Sequence, residues 1–201
     1  MRTEYNVGNG KIEVVQGSIT RYPADALVCP ANGDLEMVAF GGGLQYAFLR
    51  EGGQEIFKEA QETGARYFLA HPEAKRVGMV PEFSAHITSA GKLPVKHVIH
   101  SVAVGYDPER KGNPLYCNGN VIAKSTRNVL DLGNERKLSS IGFPALGTGL
   151  YQVPIEEATE AMTGEFERHL RGKTTLQRLG LVLFGEESWE RTKAVCDRKL
   201  L

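Results

Sequence analysis

Ile141-Gly142-Phe143-Pro144-Ala145-Leu146-Gly147-Thr148-Gly149-Leu150-Tyr151 decides how the rest of the chain is read. Its first three residues form a short apolar strand, and a glycine-rich loop follows at once. Beyond the loop, Ile155, Ala158, Met162, Phe166 and Leu170 recur at helical spacing and predict a helix over 155–170. Pro154 suits the first turn of that helix, and Glu156 and Glu157 suit its dipole. A loop that leaves the carboxyl end of a strand and enters a helix is where open α/β sheets hold their ligands.

Working outward, the same alternation recurs. Ile12–Gln16, Ala26–Cys29, Ala85–Thr88, His97–Val102 and Leu179–Phe184 read as strands, and Ala26-Leu27-Val28-Cys29 is apolar throughout, as a strand covered on both faces would be. Helices are predicted at Leu44–Leu49, ended by Gly52-Gly53, and at Gln54–Glu62, ended by Gly64. Two more are predicted at 119–132, capped by Asn118 and ended by Gly133, and at Ser188–Lys199. Residues 65–82 give no clear pattern, and 105–117 read as a loop. With no repeat, low-complexity tract or linker, residues 1–201 are expected to form one domain of α/β class, three layers deep.

Lys+Arg and Asp+Glu are both 24, so no global field draws the chain to DNA or to an anionic membrane. A phosphate compound would have to be held locally, by backbone geometry. Cys29, Cys117 and Cys196 are scattered and odd in number, which fits a reduced, cytoplasmic protein. No stretch has the length and apolarity of a membrane span, and residues 1–6 have no signal-peptide character.

Two glycine clusters offer anion chemistry. Gly41-Gly42-Gly43 precedes the helix at Leu44, where free N–H groups and the helix dipole favour negative charge, and Gly147-Thr148-Gly149 follows a strand. Each reads equally well as a tight turn when taken alone. The dinucleotide-binding, NTPase and nucleophile-elbow motifs are absent. His97 and His100 point to opposite faces of a strand, which argues against a metal pair, and Cys29 reads as an inert core thiol. No metal or cofactor is expected.

Five stretches in this order resemble the macro domain family, the ADP-ribose-binding fold. Gly17-Ser18-Ile19-Thr20 is similar to its Gly-Asp-Ile-Thr, and Asp25-Ala26-Leu27-Val28-Cys29-Pro30-Ala31-Asn32 to its Asp-Ala-Ile-Val-Asn-Ala-Ala-Asn. Gly41-Gly42-Gly43-Leu44 matches the turn opening its first helix. Leu93-Pro94-Val95-Lys96-His97-Val98-Ile99-His100-Ser101-Val102 and the Ile141–Tyr151 stretch match two of its strands. The resemblance implies a six-stranded mixed sheet between helices, with ADP-ribose or the ADP-ribose of a modified protein in a cleft at the strand ends. It implies adenine beside Ser18 and Ile19, with Phe184 stacking on or flanking the ring. It implies a diphosphate cradle from Gly42, Gly43, Leu44, Gly147, Thr148, Gly149, Leu150 and Tyr151, and a distal ribose reached by Asn32 and packed by Tyr151. The oligomeric state is left open.

The chain also departs from the family pattern. Ser18 stands where an aspartate usually meets the adenine amine, which predicts weaker adenine affinity or selectivity. Cys29 replaces the first asparagine of Asn-Ala-Ala-Asn. The link from Asn32 to Gly41 is longer than usual, and its Met37-Val38-Ala39-Phe40 is expected over the distal ribose. Gln45 takes the place of the carboxylate of the hydrolytic subgroup and cannot act as a base. Binding is therefore the leading reading. Hydrolysis of ADP-ribosyl-protein, O-acetyl-ADP-ribose or ADP-ribose 1″-phosphate is the alternative, with Asn32 as its catalytic residue. Such catalysis would use substrate-assisted water rather than a protein carboxylate, or else take a replacement carboxylate from Asp34 or Glu36, which otherwise read as ordinary loop charges. A third and weaker reading is binding of single-stranded nucleic acid or poly-ADP-ribose, and the zero net charge argues against the former.

Overall fold

The structure, a computed structural model, describes residues 1–36 and 43–201, with Arg76 described by its backbone only. In chain order it contains β1 (Arg2–Val7), β2 (Gly10–Gln16), a 3-10 turn (Ile19–Arg21), β3 (Ala26–Ala31), α1 (Gly43–Gly52), α2 (Glu55–Ala70), α3 (Pro72–Val77), β4 (Ala85–Ser89) and β5 (His97–Val102). There follow β6 (Gly105–Tyr106), β7 (Leu115–Tyr116), α4 (Gly119–Glu135), β8 (Ser140–Phe143), α5 (Ile155–Leu170), β9 (Arg178–Leu183) and α6 (Glu186–Leu200). The main sheet runs β1-β2-β9-β8-β3-β5-β4, while β6 and β7 pair as a small hairpin in the region read as a loop. β2, β9, β8, β3 and β5 are mutually parallel, and β1 and β4 are antiparallel edges. Among the described residues no helix is long and apolar enough to cross a membrane.

The sheet thus has seven strands rather than six. The additional one, β1, is polar except on alternate positions, and only Tyr5 and Val7 reach the core. An edge strand with one wet face needs no more apolar signal than that. Inside the sheet, Ala26 and Val28 pack with Ile12, Phe143, Met162 and Phe166 on one face. Leu27 and Cys29 pack with Phe48, Ile56 and Phe57 on the other. The continuous apolar run is therefore divided between two cores by the pleat.

Two glycines read as helix stops lie inside helices. Gly64 sits in α2, where a Cβ would come 2.7 Å from the Asp34 carbonyl, and Gly133 sits in α4, where a Cβ would come 2.6 Å from Ile141 Cδ1. Both serve close packing, so α2 runs on to Ala70 and α4 to Glu135. The cap at Asn118 is present, its Oδ1 accepting from Val121 N–H at 3.0 Å.

Glycine also shapes the sheet itself. Gly142 and Gly180 are cross-strand neighbours, and the Tyr22 ring lies over both, 2.6 Å and 2.4 Å from where their Cβ atoms would be. The phenol donates to Glu13 Oε2 at 2.7 Å. Glu13 is fully buried, and Arg2 at 2.5 Å and Lys11 at 3.0 Å meet its other oxygen. Burial opposes ionisation of Glu13, but the Tyr22 hydrogen bond and the flanking cations outweigh it and hold the carboxyl below its ordinary range. Tyr22→Phe is expected to cost about 1.5–3 kcal/mol, the value of a hydrogen bond to a charged group. Urea unfolding at pH 7 measures it, and a change under about 0.5 kcal/mol would show the bond to be of no consequence.

Candidate functional site

The parallel strands deliver their carboxyl ends to one edge of the sheet. β2 ends into Gly17-Ser18, β9 into Phe184, β8 into the loop from Pro144 to Tyr151, and β3 into Asn32. Gln16 lies opposite Leu183, and Gly17 N–H donates to the Leu183 carbonyl at 2.8 Å, so Ser18 and Phe184 leave the sheet side by side. Phe184 is 86 % exposed, although Leu181, Val182 and Leu183 before it are buried. An aromatic ring left in water beside a buried strand is available for stacking. Ile19 packs into the core with Val182 and Phe48.

The loop after β8 is braced from within. Thr148 Oγ1 donates to the Ala145 carbonyl at 2.9 Å, Gln152 N–H to Gly149 O at 3.1 Å, and Val153 N–H to Gly147 O at 3.1 Å. Gly147 has φ +77°, and a Cβ there would come 2.8 Å from Cys117 Sγ. That glycine is required by conformation and by packing together. Gly149 differs: a Cβ there would meet nothing within 4 Å. Leu150 beside it is 87 % exposed, and Tyr151 is half-buried against the β6–β7 side. Burial pushes the Tyr151 phenol up and the Cys117 thiol up to about 11, so both are neutral at pH 7.

The Macro domain family model matches residues 28–162, which includes the Asn32 turn, α1 and the whole glycine loop after β8. The chain belongs to the macro domain family. A Pyrobaculum aerophilum protein is 32 % identical over 98 % of the chain and 97 % of its own length. A macro domain-containing protein of Listeria monocytogenes is 31 % identical, with 89 % of this chain and 92 % of that protein covered. Among solved structures, the Oceanobacillus iheyensis macrodomain with ADP superposes with TM-score 0.79 at 27 % identity, covering 98 % of this chain and 96 % of that one. The Trypanosoma brucei macrodomain in complex with ADP-ribose has TM-score 0.68 and 25 % identity, covering 92 % and 68 %.

In this macro domain the remaining sequence-predicted residues lie around β3 and α1. Gly43 opens α1 at φ +82° with open space where a Cβ would be, and Leu44 packs on the Phe48 core. Gly42, Gly41 and the Met37–Phe40 stretch lie outside the described residues. Asn32 Nδ2 donates to the Glu36 carbonyl at 3.2 Å, and Asp34 Oδ1 accepts from Glu36 N–H at 2.9 Å. Asp34 thus closes the turn after β3 with its own side chain. Gln45 Nε2 donates to the Pro30 carbonyl at 2.8 Å. Cys29 is fully buried, and burial pushes its thiol up. His100 is buried too, with its pKa brought down to about 4 chiefly by burial, and its Nε2 lies 3.1 Å from Thr88 Oγ1. Two residues that sequence reasoning gave no role stand behind Ser18: Thr20 and, from the far end of α1, Glu51. The only sequence signal for either is that Thr20 falls in the Gly-Ser-Ile-Thr stretch.

Proposed function

We propose that this macro domain binds ADP-ribose, free or as the mono-ADP-ribosyl group of a protein, in the cytoplasm. The observation that carries the reading is the sheet edge itself. It presents an exposed ring at Phe184, an unobstructed glycine at Gly149 and the amino end of α1 at Gly43, all at strand ends or the loops that follow them. Adenine would stack on Phe184 with its amine at Ser18 and its edge along the Ile19 main chain. Backbone N–H groups of Gly42, Gly43, Leu44 and Gly147–Tyr151 would hold the diphosphate, which preorganised amides can do in a chain of zero net charge. Asn32 would reach the distal ribose, and Tyr151 would pack against it. That related macrodomains are solved with ADP and with ADP-ribose supports the choice of ligand. The three free thiols support a reducing compartment. Gln45 offers an amide in place of a carboxylate, so binding is favoured over hydrolysis.

Calorimetric titration tests the reading. ADP-ribose should bind, and AMP far more weakly, because AMP lacks the diphosphate bridge. No heat from ADP-ribose at millimolar concentration would overturn the proposal. Phe184→Ala should weaken binding by about 1–3 kcal/mol, the value of one base stacked on one aromatic ring. Because the ring is exposed, the melting temperature should stay where it is. An unchanged affinity would remove Phe184 from the adenine site.

A further inference from the structure

We infer that Glu51, acting through Thr20, holds the Ser18 hydroxyl as a hydrogen-bond acceptor toward the cleft and so selects 6-aminopurines over 6-oxopurines. The inference rests on the proposed binding of ADP-ribose and names what reads its base.

The three side chains form a line. Ser18 Oγ lies 2.7 Å from Thr20 Oγ1, and Thr20 Oγ1 lies 2.7 Å from Glu51 Oε2. Thr20 is fully buried, whereas Ser18 is only half-buried at the end of β2. A hydroxyl has one proton to donate, and an ionised carboxylate has none. The hydrogen bond from Thr20, followed by that from Arg50, holds the Glu51 carboxyl below its ordinary range, so it is ionised at neutral pH. Arg50 Nη2 at 2.9 Å and Arg21 Nε at 3.9 Å add positive charge beside it.

The direction of every proton follows. Thr20 must donate to Glu51, because Glu51 can only accept. Thr20 must then accept from Ser18, because its own proton is spent. Ser18 thereby gives up its proton inward, and what remains to face outward is lone pairs. The Ser18 oxygen at this edge can receive an N–H, as the amine of adenine offers. It cannot donate to the carbonyl of hypoxanthine or guanine without breaking the line. Hydrogen bonds in series polarise one another, so the negative charge of Glu51 is partly felt at Ser18. A neutral serine standing where the family has an aspartate thus keeps the acceptor character of that aspartate, with the charge two hydrogen bonds away. Thr20 and Glu51 are positioning residues in this scheme, and only Ser18 meets the base.

The test compares ADP-ribose with its hypoxanthine analogue, inosine diphosphate ribose, by calorimetry on the full chain. The wild type should prefer ADP-ribose by about tenfold or more, as expected where a buried or oriented polar group is left facing the wrong partner. Thr20→Val removes the inward acceptor and frees Ser18 to rotate and donate. Glu51→Gln lets the line run in either direction, since an amide NH₂ can donate to Thr20. Both variants should bring the preference within about threefold, while Thr20→Ser, which restores the hydroxyl, should retain it. A purely structural role would change both affinities together and leave their ratio alone. An unchanged ratio in folded Thr20→Val and Glu51→Gln, with ADP-ribose still bound, overturns the relay and leaves the binding reading intact. Equal affinities for the two ligands in the wild type also overturn it. Absence of ADP-ribose binding in the wild type would instead overturn the reading on which it rests.

Discussion

Gly149→Glu should abolish ADP-ribose binding in a chain that folds as before. The two glycines of the loop after β8 divide the work. At Gly147 a side chain would collide with Cys117 and Ile122 and would also need a left-handed backbone, so substitution there damages the loop itself. At Gly149 a Cβ meets nothing within 4 Å, the backbone is not left-handed, and the residue is exposed. A glutamate at that position therefore costs the fold little. If the diphosphate sits on this loop, the same glutamate sets a carboxylate against it. Like charges placed together across an interface cost several kcal/mol, so affinity should fall beyond calorimetric detection while the melting temperature moves by no more than a degree or two. Gly149→Ala serves as the control, because it adds bulk without charge and should weaken binding less. A folded Gly149→Glu variant that binds ADP-ribose as tightly as the wild type would remove the loop from the cradle.

The largest loss of stability is expected at the other end of the strands. Asp25 stands just before β3 and fastens three strands at their amino ends. Its Oδ2 accepts from Ser139 N–H at 2.8 Å, Ser139 Oγ at 2.5 Å and Ser140 N–H at 3.2 Å, and its Oδ1 meets Lys96 Nζ at 2.7 Å. Its carbonyl also receives the N–H groups of Lys96 and His97. Burial opposes the charge, but the Lys96 and Ser139 bonds prevail and hold the carboxyl well below the usual carboxylate range. Asp25→Asn keeps the shape, removes the charge and turns an amide NH₂, itself a donor, toward groups that donate. It should cost about 2–4 kcal/mol at pH 7. The sign of the pH dependence follows from the lowered pKa. As the pH falls past about 4, the ordinary aspartate value, the unfolded chain takes up a proton that the folded chain still refuses, and the contribution of Asp25 drains away. Urea unfolding of wild type and variant should therefore show a gap that is full at pH 7 and narrows steadily below pH 4. A gap independent of pH would mean that the charge is not what Asp25 contributes. Because Asp25 lies at the strand ends opposite the candidate site, ADP-ribose affinity of the folded variant should be unchanged.

Most elements were legible because their signals are local. The helix over 155–170 follows from five apolar residues at helical spacing, and it is found at Ile155–Leu170. The strand at 26–29 follows from an unbroken apolar run, and it is found at Ala26–Ala31 between two parallel neighbours. Gly64 and Gly133 carry the sequence signal of a helix stop but lie inside α2 and α4. A glycine that ends a helix and a glycine that lets a helix press against a neighbour look identical until the neighbour is in place. β1 does not stand out in the sequence, because an edge strand with Tyr5 and Val7 as its only core residues carries too little apolar pattern.

At the candidate site, the sequence by itself determined which loops follow which strands and which residue types those loops carry. Parallel topology then sends those loops to one edge, because all parallel strands end on the same side. Tertiary structure alone decided what individual side chains there can do. It left Phe184 in water and Gly149 unobstructed, turned Gln45 to the Pro30 carbonyl, and brought Glu51 behind Thr20 from 31 residues away. Composition and spacing report which groups a loop contains. The direction in which a hydroxyl donates is set by the partner at its other side, and only the packed chain supplies that partner.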